Sequence, residues 1–421
     1  MFWTIYIVFS VSLFLWTTDS IKFESSIPYI GYLGGIIVVG IMALMLMLVS
    51  KKKHQSHFWP GMTMVAILIN LGMSVNYRCS DVSGSVLEII NRTYLVDLVP
   101  MLLVFAIIYL LVRYTKFYRF RGFNSAIAIG MILAIFGARL SGKMTGGSYL
   151  YFAGFMIFGI VLIGFPFVAA WFLASDENRY WMGKVSNISW NLLSFLLYTF
   201  VIYGGCVLCN EFGLLLIVAF ISTVLFYIRC KDWKSKLFYT VACVVGALAA
   251  SIEISHLLNR IRIWVNPVGA YYDSTLEEKA ESVLYLFRHF YGMGWWGNGL
   301  GNLSKRIYPT LNSDHVLILL MNDYSIFLSV MMVMIGIILV RWMFVEPRDA
   351  CLYDRFLNLA CALVVCFIIL IDLASNLGSF ITAGIGFPWV SDGGSVNIML
   401  TTLVAIHCGL IGKKVMKDDQ N

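Results

Sequence analysis

Apolar blocks of bilayer length recur along this chain, and no other feature limits its fold so sharply. A helix needs about 20 apolar residues to cross the hydrocarbon core, where no water satisfies a non-helical backbone. Residues 2–17, 28–50, 58–76, 95–113, 123–140, 150–173, 187–209, 212–229, 237–258, 315–340, 356–375 and 394–412 meet that demand. The runs are continuous rather than alternating, which argues against a lipid-facing β-barrel. At 60% hydrophobic and 13% charged residues, with a mean hydropathy of +0.83, the 421-residue chain does not read as a soluble domain. The expected fold is all-α, a polytopic bundle of about 12 transmembrane spans. Residues 1–17 lack a basic leader and a small-residue cleavage site, so they read as a retained first span.

The loops set the orientation. Lys51, Lys52 and Lys53 follow the second span. Arg113, Lys116, Arg119 and Arg121 follow the fourth, and Arg229, Lys231, Lys234 and Lys236 the eighth. Arg341, Arg348 and Arg355 follow the tenth, and Lys413, Lys414 and Lys417 the twelfth. These clusters alternate, so they share one side, which the positive-inside rule makes the cytoplasm. Both termini are then cytoplasmic, and residues 259–314 face outward. The net charge of +7 is spent in these loops and implies no nucleic-acid partner. Cys206 and Cys209 form a CxxC without a second pair or a nearby His, which points to no metal or redox centre.

The outward segment from Trp264 to His315 is the longest that lipid would not accept. Asp273, Glu277, Glu278, Lys279, Glu281, Arg288, Lys305, Arg306 and Asp314 lie within it. Its GMGWWGNGLG run sets Gly292, Gly294, Gly297, Gly299 and Gly301 among two tryptophans, a backbone suited to special dihedrals and close approach. Residues 276–290 predict an amphipathic helix with Leu276, Ala280, Val283, Leu284 and Phe287 on one face. Trp264, Trp295 and Trp296 suit the membrane interface, and the whole loop also reads as a solvated interfacial segment. In or beside the spans stand Asp97, Arg139, Glu211, Glu253, Asp323 and Asp372. Each reads as an end-of-helix or interhelix hydrogen-bonding group, or as part of a site.

Three blocks carry a resemblance. They are CNEFGLLLIVAF at 209–220; WVNP, WWGNGLG and SDHVL within 264–317; and NLGSFITAGIGFPWVSDGGSVNI at 376–398. In this order they resemble the SEDS family (shape, elongation, division and sporulation), which includes RodA, FtsW and SpoVE-like proteins. Asn376, Gly378, Gly384, Pro388, Ser391, Gly393, Gly394 and Ser395 match its most specific pattern. GARLSG at 137–142 is a fourth match. The resemblance covers about residues 58–412. It makes 1–57 two additional N-terminal spans and 413–421 a cytoplasmic tail.

The resemblance implies a peptidoglycan glycosyltransferase of the bacterial cytoplasmic membrane, acting in elongation, division or sporulation. It would polymerise lipid II, an undecaprenyl diphosphate-linked substrate, beside a class B penicillin-binding protein. It also implies an aspartate base shortly after the Asn-Pro of the outer loop. Here Asn266-Pro267 is followed by VGAYYD, so Asp273 stands six residues past the proline rather than three. AES at 280–282, with Glu281, stands where the family has Thr-Gln-Ser. The family's Gln-Pro-[Ser/Ala]-Glu-x-x-Lys is absent from the span after Gly142. Through its motif positions the resemblance also assigns substrate contacts to Asn266, Trp296, Gly299, Asp314, Ser391, Gly393 and Gly394; the two glycines read first as a tight turn between spans, and as substrate contacts second.

Glycosyl transfer from a lipid diphosphate needs a base for the acceptor proton and cations for the departing diphosphate. Asp273, or Glu277, Glu278 or Glu281 in its place, supplies the first. Arg139, Lys143, Arg260 and Arg262 supply the second, with Arg288, Lys305 and Arg306 in reserve. No cofactor is required, although a divalent cation bridging the diphosphate is compatible with this chemistry. His256, His289 and His315 lack the spacing of a metal cluster. Two alternatives stay open: a non-catalytic scaffold or regulator of a wall synthase, and a flippase for the lipid-linked precursor.

Overall fold

The structure is a computed structural model. It describes residues 7, 10–11, 55–79, 99–142, 148–149, 151–152, 155–174, 189–253, 255–298, 311–346, 350–382, 384–392 and 394–418. The helices are α1 (Gln55–Cys79), α2 (Val99–Tyr114), α3 (Arg121–Ser141), α4 (Ile157–Ala174), α5 (Trp190–Leu208), α6 (Phe212–Arg229) and α7 (Trp233–Glu253). They continue as α8 (Ser255–Val265), α9 (Pro267–Tyr271), α10 (Glu277–Gly292), α11 (Val316–Asp323), α12 (Ile326–Met343), α13 (Leu352–Asn376) and α14 (Gly394–Asp418). Strands β1 (Tyr151–Phe152) and β2 (Phe155–Met156) pair antiparallel with Tyr151 opposite Met156. The all-helical expectation holds apart from this two-residue pairing.

By length and composition α3, α4, α5, α6, α12 and α13 are able to cross a membrane. Trp59–Met73, Val99–Tyr114 and Ser395–Ile411 are shorter apolar helical stretches. The spans expected over 2–17 and 28–50 lie outside the described residues, apart from Ile7, Ser10 and Val11. The run expected as one span over 315–340 is two helices. It breaks at Tyr324-Ser325, where the Ser325 hydroxyl caps α12 by accepting from the Leu328 amide at 3.1 Å. A serine at that position satisfies an amide that the first turn of α12 leaves open.

The chain forms two compact units. One comprises residues 1–107, 263–345 and 368–402, the other 108–262, 346–367 and 403–421. In the second, Phe165, Val168, Phe195, Ile217, Ile221, Leu225 and Phe226 are completely buried along α4, α5 and α6. One end of this unit is tied by Asp354, which accepts from Tyr118 Oη at 2.9 Å and Arg119 Nε at 3.0 Å and pairs with Arg119 Nη2. Burial, ahead of the neighbouring Asp354 charge, pushes the Tyr118 hydroxyl pKa up. Elsewhere in the unit, the Tyr149 amide donates to the Cys209 carbonyl at 2.9 Å and Ser148 Oγ to the Asn210 carbonyl at 2.9 Å. Loops that the charge pattern assigns to one side are therefore bonded to each other. In the first unit, Leu68, Leu71, Leu320, Met332 and Leu339 are completely buried.

Candidate functional site

The outer segment is built around α10. Leu276 and Ala280, respectively 2% and 0% exposed, form an apolar cluster with Ile263 and Ala270, and Tyr271 and Val283 pack on it. Leu276, Ala280 and Val283 belong to the apolar face expected from the sequence; Leu284 and Phe287 are half-buried outside this cluster, and Leu286, which that face did not include, is buried. Asn266 opens α9: its Oδ1 accepts from the Gly269 amide at 2.8 Å, and Pro267 takes the first helical position, where no amide donor is needed. Asp273 follows α9 and is half-buried. Its Oδ1 accepts from the Thr275 amide at 3.0 Å and the Thr275 hydroxyl at 2.7 Å. Asp273 thus presents its carboxylate from a hydrogen-bonded turn between α9 and α10. Glu281 is exposed on α10, and Glu277 and Glu278 are exposed in its first turn.

The glycine-rich run has a specific use. Gly297 adopts φ 74, and a Cβ there would stand 2.7 Å from the Asn322 carbonyl oxygen. The Asn298 amide donates to that oxygen at 2.6 Å, and the Ile326 amide donates to the Trp295 carbonyl at 3.3 Å. Asn298 Nδ2 also donates to Asn322 Oδ1 at 3.0 Å. The run therefore supplies backbone partners at the break between α11 and α12. Trp296 is 79% exposed and packs against Phe327, as Trp295 does.

A polar seam joins 312–314 to the end of α13 and to the 384–392 turn, all within one unit. Asn376 Nδ2 donates to the Asp314 carbonyl at 3.0 Å, the Asp372 carbonyl at 2.9 Å and Asp372 Oδ1 at 3.1 Å. Asn312 Nδ2 donates to Asp392 Oδ2 at 3.0 Å, and the Asp392 amide to the Asn312 carbonyl at 2.8 Å. A Cβ on Gly386 would meet the Ser313 carbonyl oxygen and Ser391 Oγ, each at 2.2 Å, so only glycine fits. Trp389 sits at φ 59, a conformation that costs a bulky residue on the order of 1 kcal/mol. Its amide donates to Asn397 Oδ1 at 3.0 Å and its indole to Thr401 Oγ1 at 3.1 Å, which hold it there.

The other unit carries a second cluster. Asn210 makes the turn between α5 and α6 at φ 57, and Glu211 precedes α6, 9% exposed. Burial pushes the Glu211 carboxyl up to about 7, opposed by its hydrogen bond with Ser148 and the charge of Arg260. The exposed Arg139 places its guanidinium 4.5 Å from the Tyr149 ring centroid. Arg260 is half-buried and Arg262 exposed on α8. The candidates therefore divide: Asn266, Asp273, Glu281, Trp296, Asp314, Ser391 and Gly394 lie in one unit, and Arg139, Arg260 and Arg262 in the other. Gly394 begins α14, while Lys143, Gly299 and Gly393 lie outside the described residues. Sequence reasoning missed Asn312, Asp392 and Ser148, whose partners are distant in the chain.

The model of the cell cycle protein family of FtsW, RodA and SpoVE matches residues 58–411. This chain belongs to that family. It is an integral membrane protein, as its apolar helices require. The probable peptidoglycan glycosyltransferase FtsW of Pseudoalteromonas translucida is 23% identical over 57% of this chain and 61% of the relative. That of Alteromonas naphthalenivorans is 26% identical over 66% and 54%. The chain thus spans between half and two thirds of the length of the curated relatives it matches first. A chain from a solved peptidoglycan synthase complex, described as coordinating polymerization and crosslinking, has a TM-score of 0.64 at 18% identity, covering 86% of this chain and 98% of that one. RodA of Thermus thermophilus, a rod shape determining protein, gives 0.56 at 16% identity, covering 86% and 97%. At these identities the two structures establish the fold of this FtsW/RodA/SpoVE-family protein.

Proposed function

We propose that this protein is a peptidoglycan glycosyltransferase that polymerises lipid II at the outer face of the bacterial cytoplasmic membrane. Its lysine- and arginine-rich loops and both termini face the cytoplasm, and a class B penicillin-binding protein is its partner. The observation that carries this reading is the family match over residues 58–411, joined to relatives named as probable peptidoglycan glycosyltransferases. In the proposed reaction the acceptor 4-hydroxyl attacks the anomeric carbon of the donor. Asp273 takes its proton, and the bond to the lipid diphosphate breaks with inversion. The diphosphate leaves as an anion, and the chemistry asks for cations to stabilise it, for which the sequence offers Arg139, Lys143, Arg260 and Arg262 as candidates.

One observation favours a second reading, a non-catalytic member of the family that regulates a wall synthase. Asp273 Oδ1 already accepts two hydrogen bonds from Thr275, a capping use of the carboxylate. Polymerisation of lipid II by the purified protein, with and without a class B penicillin-binding protein, separates the two. Glycan chains from the wild type and none from Asp273→Asn are the expected result. Chains from both would move the base to Glu277, Glu278 or Glu281. None from either, with lipid II still bound, would favour the regulator.

A further inference from the structure

We propose that the turn from Arg113 to Arg121, which joins α2 to α3, is a docking site for the phosphodiester headgroup of an anionic phospholipid. The inference needs the membrane location of the chain and not its transferase reaction. α2 ends at Tyr114 and α3 begins at Arg121, so the turn stands at the end of a helix able to cross the membrane, at headgroup depth. Its middle is a single 3-10 turn, Phe117–Arg119, closed by the Arg119 amide on the Lys116 carbonyl at 3.0 Å and the Phe120 amide on the Phe117 carbonyl at 2.9 Å.

The turn holds more positive charge than its neighbours answer. Arg119 pairs with Asp354. Among the described residues, no carboxylate pairs with Arg113, Lys116 or Arg121. Lys116 and Arg121 are exposed. Arg113 is only 6% exposed, and its Nε is buried without a hydrogen-bond partner among the described residues. Its guanidinium lies 5.4 Å from the ring centroid of Tyr109 and 5.3 Å from that of Tyr114, and its Nη1 donates to Tyr109 Oη. The two rings and the C-terminal end of α2 soften the burial of this cation, but none of them carries a full negative charge. A phosphodiester does, and it offers two oxygens to the guanidinium fork.

The aromatic residues select the source of that anion. Tyr114, Phe117 and Phe120 are 58%, 61% and 64% exposed, interleaved with the cations in the same turn. Phe117 is held against Phe123 of α3, with 5.0 Å between ring centroids. Rings at the end of a membrane helix lie among headgroups, where an apolar body and a polar surrounding meet. Further along the helices, Leu110 and Leu111 on α2 and Ile129 on α3 are exposed, an apolar surface for acyl chains. A free phosphate would engage the cations alone, whereas an anionic lipid engages the cations, the rings and the apolar flanks together.

The test involves no polymerisation, so a failed transferase assay would leave it standing. Full-length protein in detergent is delipidated and titrated with phosphatidylglycerol or with phosphatidylcholine of the same acyl chains, and retained lipid is counted by native mass spectrometry. The wild type is expected to retain phosphatidylglycerol several-fold more tightly than phosphatidylcholine. Lys116→Gln and Arg121→Gln should each weaken phosphatidylglycerol by about fivefold and leave phosphatidylcholine unchanged. Arg113→Gln should weaken it at least as much, while Arg341→Gln, the same loss of charge on an exposed residue of α12, leaves it as it is. Size exclusion and far-ultraviolet circular dichroism check the fold of each variant, and the exposed Lys116 and Arg121 decide if Arg113→Gln does not fold. Equal retention of the two lipids by the wild type, or unchanged retention in the folded variants, would overturn the site. Displacement of phosphatidylglycerol by millimolar inorganic phosphate would overturn it too, in favour of a soluble anion.

Discussion

Asn312 and Asp392 grip each other twice, by the Asp392 amide on the Asn312 carbonyl at 2.8 Å and by Asn312 Nδ2 on Asp392 Oδ2 at 3.0 Å. The pair fastens the end of the long outer segment to the turn before α14, 80 residues further on. Asn312 is 4% exposed, so removing its amide leaves Asp392 without a buried donor. Asn312→Ala is expected to cost about 1–3 kcal/mol. Asp392→Asn keeps an oxygen that accepts and costs less. Thermal midpoints in detergent check both, and an unchanged midpoint for Asn312→Ala would show that the clamp contributes nothing.

Gly72 on α1 faces the same turn. A Cβ at Gly72 would lie 2.3 Å from the Trp389 carbonyl oxygen and 2.9 Å from that of Val390, both backbone atoms with little room to yield. Gly72→Ala is expected to lower stability by more than about 2 kcal/mol through strain or a displaced turn. Gly130 on α3 is the control, because nothing lies within 4 Å of its added Cβ. Gly130→Ala is expected to be neutral or to stabilise by up to about 1 kcal/mol through helix propensity. Similar midpoints for the two variants would refute the close approach.

Ala280 lies completely buried among Ile263, Ala270 and Leu276. Leucine there overfills the cluster, at about 1–3 kcal/mol. Faster limited proteolysis between residues 264 and 298, with the rest of the chain still protected, is the expected readout. A cleavage rate equal to that of the wild type would mean that the cluster does not hold the segment.

Glu211 gives a pH dependence with a defined sign. Burial raises its folded carboxyl to about 7, from the ordinary glutamate value of about 4.5. The folded state therefore holds this proton more tightly than the unfolded state does. Its contribution is complete below about 4.5, is lost as pH rises towards about 7, and is flat above that, a change on the order of 3 kcal/mol. Thermal midpoints across this window are expected to fall for the wild type. Glu211→Gln carries no ionisable group and should flatten the slope. An equal slope in that variant would assign it to another group.

Much of this was legible in the residues themselves. Leu276, Ala280 and Val283 recur at helical spacing, and the helix they predict over 276–290 is α10, Glu277–Gly292, with Leu276 and Ala280 buried and Val283 packed on them. Arg119 pairs with Asp354 in the first turn of α13, two segments that the charge pattern puts on the same side. The break at Tyr324-Ser325 was hidden because Leu317–Leu320 and Val330–Val333 are apolar on either side of it. The signals were Asn322, Asp323 and a serine suited to capping. The Asn312–Asp392 pair carries no periodicity, because it joins loops through tertiary geometry alone. Asp273 became a candidate through the resemblance, as the first aspartate after Asn266-Pro267, and its bonds to Thr275 belong to a turn that spacing does not reveal.

The mated backbones of Gly297-Asn298 and Asn322 have a consequence for chimeras. The glycine-rich run supplies the amide donor that the Asn322 carbonyl lacks at the broken helix, where the fully buried Asn322 meets no water to replace it. The run and the break therefore form one cassette. An outer loop transplanted from a relative would have to bring its own 321–326 with it, or lose its seat in the membrane. Exchange boundaries drawn outside both segments should insert and fold, whereas a boundary between them should trap the chain before it is complete.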